Sequence, residues 1–267
     1  EIKERFADER KTRVLASPVD DFSPEDLVPK EKVIITLTGG GYIKSLPENT
    51  YKTQSRGGKG VIGMVTKEED IVKHFFVTDT HSDLLFFTNQ GRVFQLKAYE
   101  VPRTTRTAKG QSIVNFLQLS SDEKVTALVS SDKFQEAKFL IMVTKKGVVK
   151  KSKIEDFTKV RRSGLIALKL KPEDELKWVE PTIGEDEIII VTSQGLAIRF
   201  SEKDIRPMGR TAAGVTGIRF KTPEDVAVGM DIITKASQNN ELLVVTRKGY
   251  GKRTSLDKYR PQGRGGR

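Results

Sequence analysis

Five times along the chain an unbroken apolar run meets a Thr, two turn residues and a Gly, then resumes as a short apolar stretch that ends on Lys or Arg. The copies are VIITLTGGGYIK (33–44), LLFFTNQGRVFQLK (84–97), FLIMVTKKGVVKK (139–151), IIIVTSQGLAIR (188–199) and LLVVTRKGYGKR (242–253). The turn glycines are Gly41, Gly91, Gly147, Gly195 and Gly249, at steps of 50, 56, 48 and 54 residues. Runs rich in Val, Ile, Leu and Phe around a short turn predict a β-hairpin, and the Gly accepts φ > 0 without steric cost. Further apolar stretches follow each hairpin: VIGMV (61–65), IVNFLQL (113–119), LIALKL (165–170) and VTGIRF (215–220), then HFFVT (74–78), KVTALVS (124–130), LKWVEP (176–181) and VAVGMDIIT (226–234). Read as strands, they give about four per unit of roughly 50 residues, the signature of a radial blade array and an all-β fold. Residues 1 to about 13 carry a charged i, i+4 pattern that predicts the end of a helix. Residues 16–30, with three prolines and no period, read as a linker.

Charge adds a second register. Lys and Arg number 47 against 36 Asp and Glu, a formal charge of +11, and an excess of that size points to a polyanionic partner. No run of 18 apolar residues exists and no basic amphipathic helix is evident, so nucleic acid is favoured over a membrane surface. The basic residues recur at one place in the repeat. Segments QSRGGKG (54–60), RTTRTAKG (103–110), VRRSG (160–164) and GRTAAG (209–214) end on Gly60, Gly110, Gly164 and Gly214, which stand 19, 19, 17 and 19 residues after their turn glycines; the chain ends in PQGRGGR (261–267). Arg brings forked donors and Lys a point charge to phosphate, and glycine lets backbone N–H groups come close to it. Contacts of this kind position DNA without reading its sequence. The expected contacts are Arg103, Arg106, Lys109, Arg161, Arg162, Arg210 and Arg264 in the segments, with Lys44, Arg92 and Arg199 from the hairpins.

The segment QSRGGKG resembles the signature box of the C-terminal domain of the bacterial DNA gyrase A protein, usually Gln-Arg-Arg-Gly-Gly-Lys-Gly; six of seven positions agree, and Ser55 replaces an Arg. The resemblance covers residues 31–267 as a pinwheel domain, with residues 1–30 similar to the end of the family's helical stalk and a linker. It implies a β-pinwheel, a propeller-like disc whose blades exchange a strand. It implies DNA wrapped in a positive sense around a basic rim, so that strand passage by the holoenzyme yields negative supercoils. Gln54, Ser55, Arg56, Gly57, Gly58, Lys59 and Gly60 would carry the box's role. It also implies partners (double-stranded DNA, the rest of the gyrase A protein, and the gyrase B protein in a heterotetramer), a bacterial cytoplasmic, nucleoid-associated setting, and an isolated domain that is monomeric. ATP and Mg2+ would be used by the holoenzyme through the gyrase B protein, with no cofactor or metal in this domain. The family usually has six blades where five copies are counted here, leaving open a sixth unit beyond Arg267 or an unclosed ring.

No catalytic residue is expected. There is no cysteine, and His74 and His81 are the only histidines, which excludes thiolate zinc sites and disulfides. Tyr42, Tyr51, Tyr99, Tyr250 and Tyr259 sit in strand or loop contexts of the repeats and read as packing or rim residues. GGGYIKS (39–45) lacks the Gly before Lys that a phosphate-binding loop needs. Acidic clusters such as Glu68–Asp70 and Glu185–Glu187 read as solvated turns. Two alternatives stand beside the gyrase reading. One is the homologous domain of topoisomerase IV, with fewer blades and a degenerate box; the other is a propeller used as a protein-interaction scaffold, which leaves the basic register unexplained.

Overall fold

Each of the five predicted turns closes by the same local hydrogen bonds. In a computed structural model describing residues 1–7, 24–51, 63–64 and 70–266, the turn-glycine N–H donates to the carbonyl of the Thr three residues back, at Thr38, Thr88, Thr144, Thr192 and Thr246. The Thr hydroxyl accepts the N–H of the residue after the Gly, at Tyr42, Arg92, Val148, Leu196 and Tyr250. With the Gly at positive φ this is a three-residue hairpin loop ending in a left-handed residue. Gly147, at φ +75, has the Cγ2 of Ile218 2.7 Å from where a Cβ would stand and Phe220 at 3.0 Å. Gly147→Val is therefore expected to cost roughly 2–5 kcal/mol in urea unfolding, from backbone strain and overpacking together; an unchanged midpoint would contradict the assigned turn.

The first blade is built from β1 (Lys32–Thr38), β2 (Tyr42–Pro47) and β3 (Val72–Asp79). The second has β4 (Asp83–Thr88) and β5 (Arg92–Lys97); the chain then forms the two-residue β6 (Gln111–Ser112) and returns for β7 (Val125–Ser130). The third repeats this with β8 (Phe139–Thr144), β9 (Val148–Lys153), β10 (Leu165–Ile166) and β11 (Leu176–Thr182). The fourth has β12 (Glu187–Thr192), β13 (Ala197–Ser201), β14 (Val215–Thr216) and β15 (Ala227–Ile233), and the fifth unit the hairpin β16 (Glu241–Val245) and β17 (Gly251–Ser255). All pairings between these strands are antiparallel. The sheet orders are β3-β1-β2-β6, β10-β5-β4-β7, β11-β8-β9-β14 and β13-β12-β15, with β16-β17 as a pair. The short strand after the second, third and fourth hairpins thus pairs with the preceding blade, which is the strand exchange expected of a pinwheel.

Of the stretches expected as full strands, 165–170 and 215–220 pair over two residues only, and 113–119 forms no strand, following the two-residue β6. The chain then turns over the preceding hairpin: Ile113 N–H donates to Gly41 O, Ala167 N–H to Gly91 O and Gly217 N–H to Gly147 O, each at 2.8 Å. Their apolar side chains, Ile113, Leu117, Ala167, Leu168 and Ile218, enter the cores instead of alternating along a strand. The stretch 61–65 lies largely outside the described residues.

Stacked sheets explain why the first hairpin strands are apolar without alternation. Successive side chains point to opposite faces, and here both faces are covered. Leu84 and Phe86 enter the core shared with the first blade, Leu85 and Phe87 the core shared with the third. Likewise Leu140 and Met142 face backward and Ile141 and Val143 forward. In the fifth unit, Leu243 and Val245, at the positions of Leu85 and Phe87, are 62% and 61% exposed. A short helix, α1 (Ile2–Phe6), stands within the predicted helical stretch. Part of the predicted linker is docked: Lys97 Nζ pairs with Glu25, and Thr80 donates to Pro29 O.

Candidate nucleic-acid interface

The second, fourth and fifth basic segments share one edge because each is paired to the second hairpin strand of the blade before it, and the third runs directly into β10, which pairs with β5 of the second blade. Ser45 N–H donates to Pro102 O, Met208 N–H to Lys151 O and Gln262 N–H to Arg199 O, with parallel bridges Ser45–Arg103, Lys151–Pro207 and Arg199–Pro261. Close approach needs glycine at the segment ends. A Cβ on Gly110, at φ +86, would stand 2.4 Å from Ile43 O, and one on Gly214, at φ +80, 2.8 Å from Val149 O. These two glycines therefore serve packing against the neighbouring strand, where the sequence suggested close access for phosphate.

The expected contact residues divide on exposure. Arg161 and Arg162 are exposed, the latter with 88% of its side chain accessible and Glu100 at 3.5 Å. Arg103 is exposed beside Glu31, 2.7 Å away. Arg106, Lys109 and Arg210 are half-buried, and the Lys109 ammonium lies 3.5 Å from the centre of the Tyr42 ring. Arg264 is exposed and donates to Asp204 O and Thr216 O. Residues 54–60 lie outside the described residues.

Three expected contacts are corrected. Lys44 is fully buried, its ammonium donating to the carbonyls of Arg106, Ala108 and Gly63. Arg199 is 8% exposed, paired with Glu187 and donating to Leu256 O at 2.6 Å. Arg92 pairs with the buried Glu123 at 2.7 Å, donates to Ser163 O at 2.6 Å and lies over the Phe94 ring. All three tie blades together: Lys44 has its three N–H donors engaged by carbonyls and Arg199 is sealed against Glu187 and Leu256 O, while the half-buried Arg92 is held by Glu123 and Ser163 O. Within the acidic clusters, Asp70 and Asp186 are corrected, while Glu185 is exposed as expected. Asp70 accepts the Gly40 N–H at 2.7 Å, and Asp174 and Asp225 accept the equivalent turn N–H groups of Lys146 and Gln194. Asp186 is 3% exposed.

Arg206 and Arg260 were missed. The pairings above make them equivalent to Pro102, at the start of each segment. Both are exposed. The signal was in the sequence: in VPRTTR (101–106), IRPMGR (205–210) and YRPQGR (259–264) a Pro–Arg or Arg–Pro pair precedes an Arg at a fixed distance. That closing Arg is Arg106, Arg210 or Arg264; Arg56 holds the same place, four residues before Gly60, as do Arg106 before Gly110 and Arg210 before Gly214.

Lys150 is fully buried, and its ammonium donates to Arg210 O at 2.6 Å and Ala167 O at 2.7 Å. Desolvation pulls its pKa down to about 8, with Asp156 opposing; burial lowers that of Lys44 too. Between about pH 8 and the ordinary lysine pKa, the folded protein has released the Lys150 proton while the unfolded chain still holds it, so stability rises with pH in that window. Relative to Lys150→Met, the wild-type protein should gain up to about 1.4 kcal/mol per pH unit there. Urea midpoints at pH 7 to 10 check this, and parallel profiles for the two proteins would refute it.

Among the described residues no group of three or more His, Cys, Asp or Glu could hold a metal ion, and no helix is long and apolar enough to cross a membrane.

A family model described as DNA gyrase C-terminal domain, beta-propeller, matches five times, over residues 32–79, 82–132, 138–183, 186–234 and 240–267. The DNA gyrase A protein of Staphylococcus epidermidis is 45% identical over 268 residues, covering 100% of this chain and 30% of the relative; that of Staphylococcus aureus gives the same figures. This chain spans 30% of the length of these relatives. Among solved structures, the C-terminal domain of DNA topoisomerase IV superposes with a TM-score of 0.74 at 29% identity, over 90% of this chain and 72% of that one. A DNA gyrase A C-terminal domain gives 0.69 at 27%, over 88% and 75%.

Proposed function

The chain belongs to the family of DNA gyrase C-terminal β-propeller domains of type IIA topoisomerases, and from that premise we propose that it binds duplex DNA along the edge bearing its basic segments and wraps it with positive writhe. In the assembled enzyme, formed with the rest of the gyrase A protein and with the gyrase B protein, that wrap would present a DNA segment for strand passage and so introduce negative supercoils. ATP and Mg2+ would enter through the gyrase B protein, in the bacterial cytoplasm. The observation that carries the reading is the repeated backbone pairing that lays a basic segment on the same edge of the first, third and fourth blades. Bending 20–30 bp costs about 1–6 kcal/mol, so one segment does not suffice and several must act on one duplex. The topoisomerase IV alternative is disfavoured by the 45% identity to gyrase A and by QSRGGKG (54–60).

The test is topological. The domain is mixed with nicked circular plasmid, the nick is ligated, protein is removed and the linking number is read on a gel. A positive shift that scales with protein and disappears at high salt supports chiral wrapping. Binding without a shift removes the wrapping claim, and no binding at low salt removes the DNA claim. Replacing Arg56 and Lys59 by Ala should diminish the shift with a change in melting temperature of no more than a few degrees; a large fall in melting temperature would make them structural residues instead.

A further inference from the structure

Lys44 and Lys150 occupy the same place in the repeat, three residues after turn glycines Gly41 and Gly147. Both side chains are fully buried. Their ammonium groups meet equivalent carbonyls. Lys44 Nζ lies 2.5 Å from Arg106 O and Lys150 Nζ 2.6 Å from Arg210 O, each the arginine four residues before its segment glycine. Lys44 Nζ also reaches Gly63 O at 3.1 Å and Lys150 Nζ reaches Ala167 O at 2.7 Å; these residues follow Gly60 and Gly164 by three. Each ammonium therefore holds the segment of the next repeat and, at the same time, the chain three residues beyond the end of its own repeat's segment. Lys44 adds Ala108 O at 2.9 Å, which occupies all three of its N–H donors.

Stability does not require a lysine here. In the second and fourth blades the same place is taken by Phe94 and Ile198, both fully buried. A buried ammonium costs several kcal/mol unless its surroundings replace water, and carbonyl dipoles do that here. The apolar alternative avoids the cost altogether, yet it cannot grip two carbonyls from separate repeats. Lysine recurs at this place in the fifth unit as Lys252, so the order along the chain is Lys, Phe, Lys, Ile, Lys.

We propose that Lys44 and Lys150 are positioning residues for DNA binding: each buried ammonium cross-ties one basic segment to the chain leaving the segment before it and fixes the spacing of the arginines the two segments carry. The first half of this statement stands on the contacts alone; the second rests on the DNA-wrapping reading. It follows that the segments are set in pairs, first with second and third with fourth.

The test uses the 267-residue chain with Lys150→Met, and with Lys124→Met as a control that removes the same charge from an exposed site. Hydrogen exchange followed by mass spectrometry should show amides of 163–168 and 209–214 exchanging about tenfold faster or more in Lys150→Met, with those of β8 and β12 unchanged. The Kd for a linear duplex at fixed salt should rise about tenfold or more in Lys150→Met and less than about twofold in Lys124→Met. Lys150→Arg, which keeps the charge, should fall between Lys150→Met and the wild type in both readouts. Faster exchange spread evenly over the whole chain would reduce Lys150 to a stability residue and overturn the cross-tie. Local loosening with an unchanged Kd would overturn the positioning role. If the wild-type chain itself does not bind duplex at low salt, the DNA reading fails, while the exchange data still decide the cross-tie. Should Lys150→Met not fold, Lys44→Met carries the same two measurements, with the loosening expected at 103–110.

Discussion

Alanine at Arg106, Arg161, Arg162 and Arg210 together is expected to lower the log–log salt slope of duplex binding by about 3.6, at roughly 0.9 for each phosphate no longer neutralised. At 0.1 M salt this corresponds to a decrease on the order of a thousandfold in affinity, taking 1 M as the point where the ionic contribution vanishes. These four come from the second, third and fourth segments, which lie on the shared edge of the blades, and Arg161 and Arg162 are exposed there. Their backbone carbonyls, which Lys44 and Lys150 grip at Arg106 and Arg210, remain in the variant. Folding should accordingly survive, and Arg161 and Arg162 should each contribute within about 0.5 kcal/mol to stability. Titrations of a linear duplex between 50 and 300 mM salt measure the slope. A slope unchanged from that of the wild-type chain would place the DNA path elsewhere on the molecule.

Glu202→Ala should be among the most destabilising single changes, at about 3–5 kcal/mol. The side chain is fully inaccessible. It accepts from Thr182 Oγ1 at 2.9 Å and from the N–H groups of Gly184 and Asp186, both at 2.8 Å. Lys151, itself buried, has its ammonium 3.7 Å from the carboxylate and 2.7 Å from Glu202 O. Removing the carboxylate leaves a buried ammonium without its counter-charge and two backbone donors without an acceptor. Both belong to the connection that leads from β11 into β12, so the third and fourth blades should loosen together. Chemical unfolding of the purified variant measures the cost. A value below about 1 kcal/mol would mean that water replaces the carboxylate and that the site is more open than its burial implies. Glu202→Gln, which keeps an acceptor, should lose less than the alanine variant.

The three lysine and arginine corrections share one cause. On sequence, Lys44, Arg92 and Arg199 look like Arg106 or Arg162: a cation near a turn, in a basic chain. What separates them is the strand pairing. Each of the three stands on a second hairpin strand, where the segment of the following repeat lies down beside it. No sequence-local signal announces a neighbour contributed some 60 residues later. Asp70 was misjudged for the same reason, since it looks solvated until the third strand of its blade brings it to the hairpin tip, a contact that Asp174 and Asp225 repeat. Arg206 and Arg260 are a different case. Their recurrence beside Pro207 and Pro261 was visible in the chain, but only the structural register aligns them with Pro102.

The sequence by itself determined the hairpin count, the turn positions and the existence of a repeating basic register. It could do so because those features close locally: a Thr, two residues and a Gly make their own hydrogen bonds within five residues, and an apolar run between such turns has few other ways to pair. The tertiary structure decided which cations face solvent, which are sealed between carbonyls, and that the short strand of the second, third and fourth units belongs to the blade before it. Those outcomes depend on contacts between residues tens of positions apart, and burial, unlike a turn, is a property of the neighbour as much as of the residue.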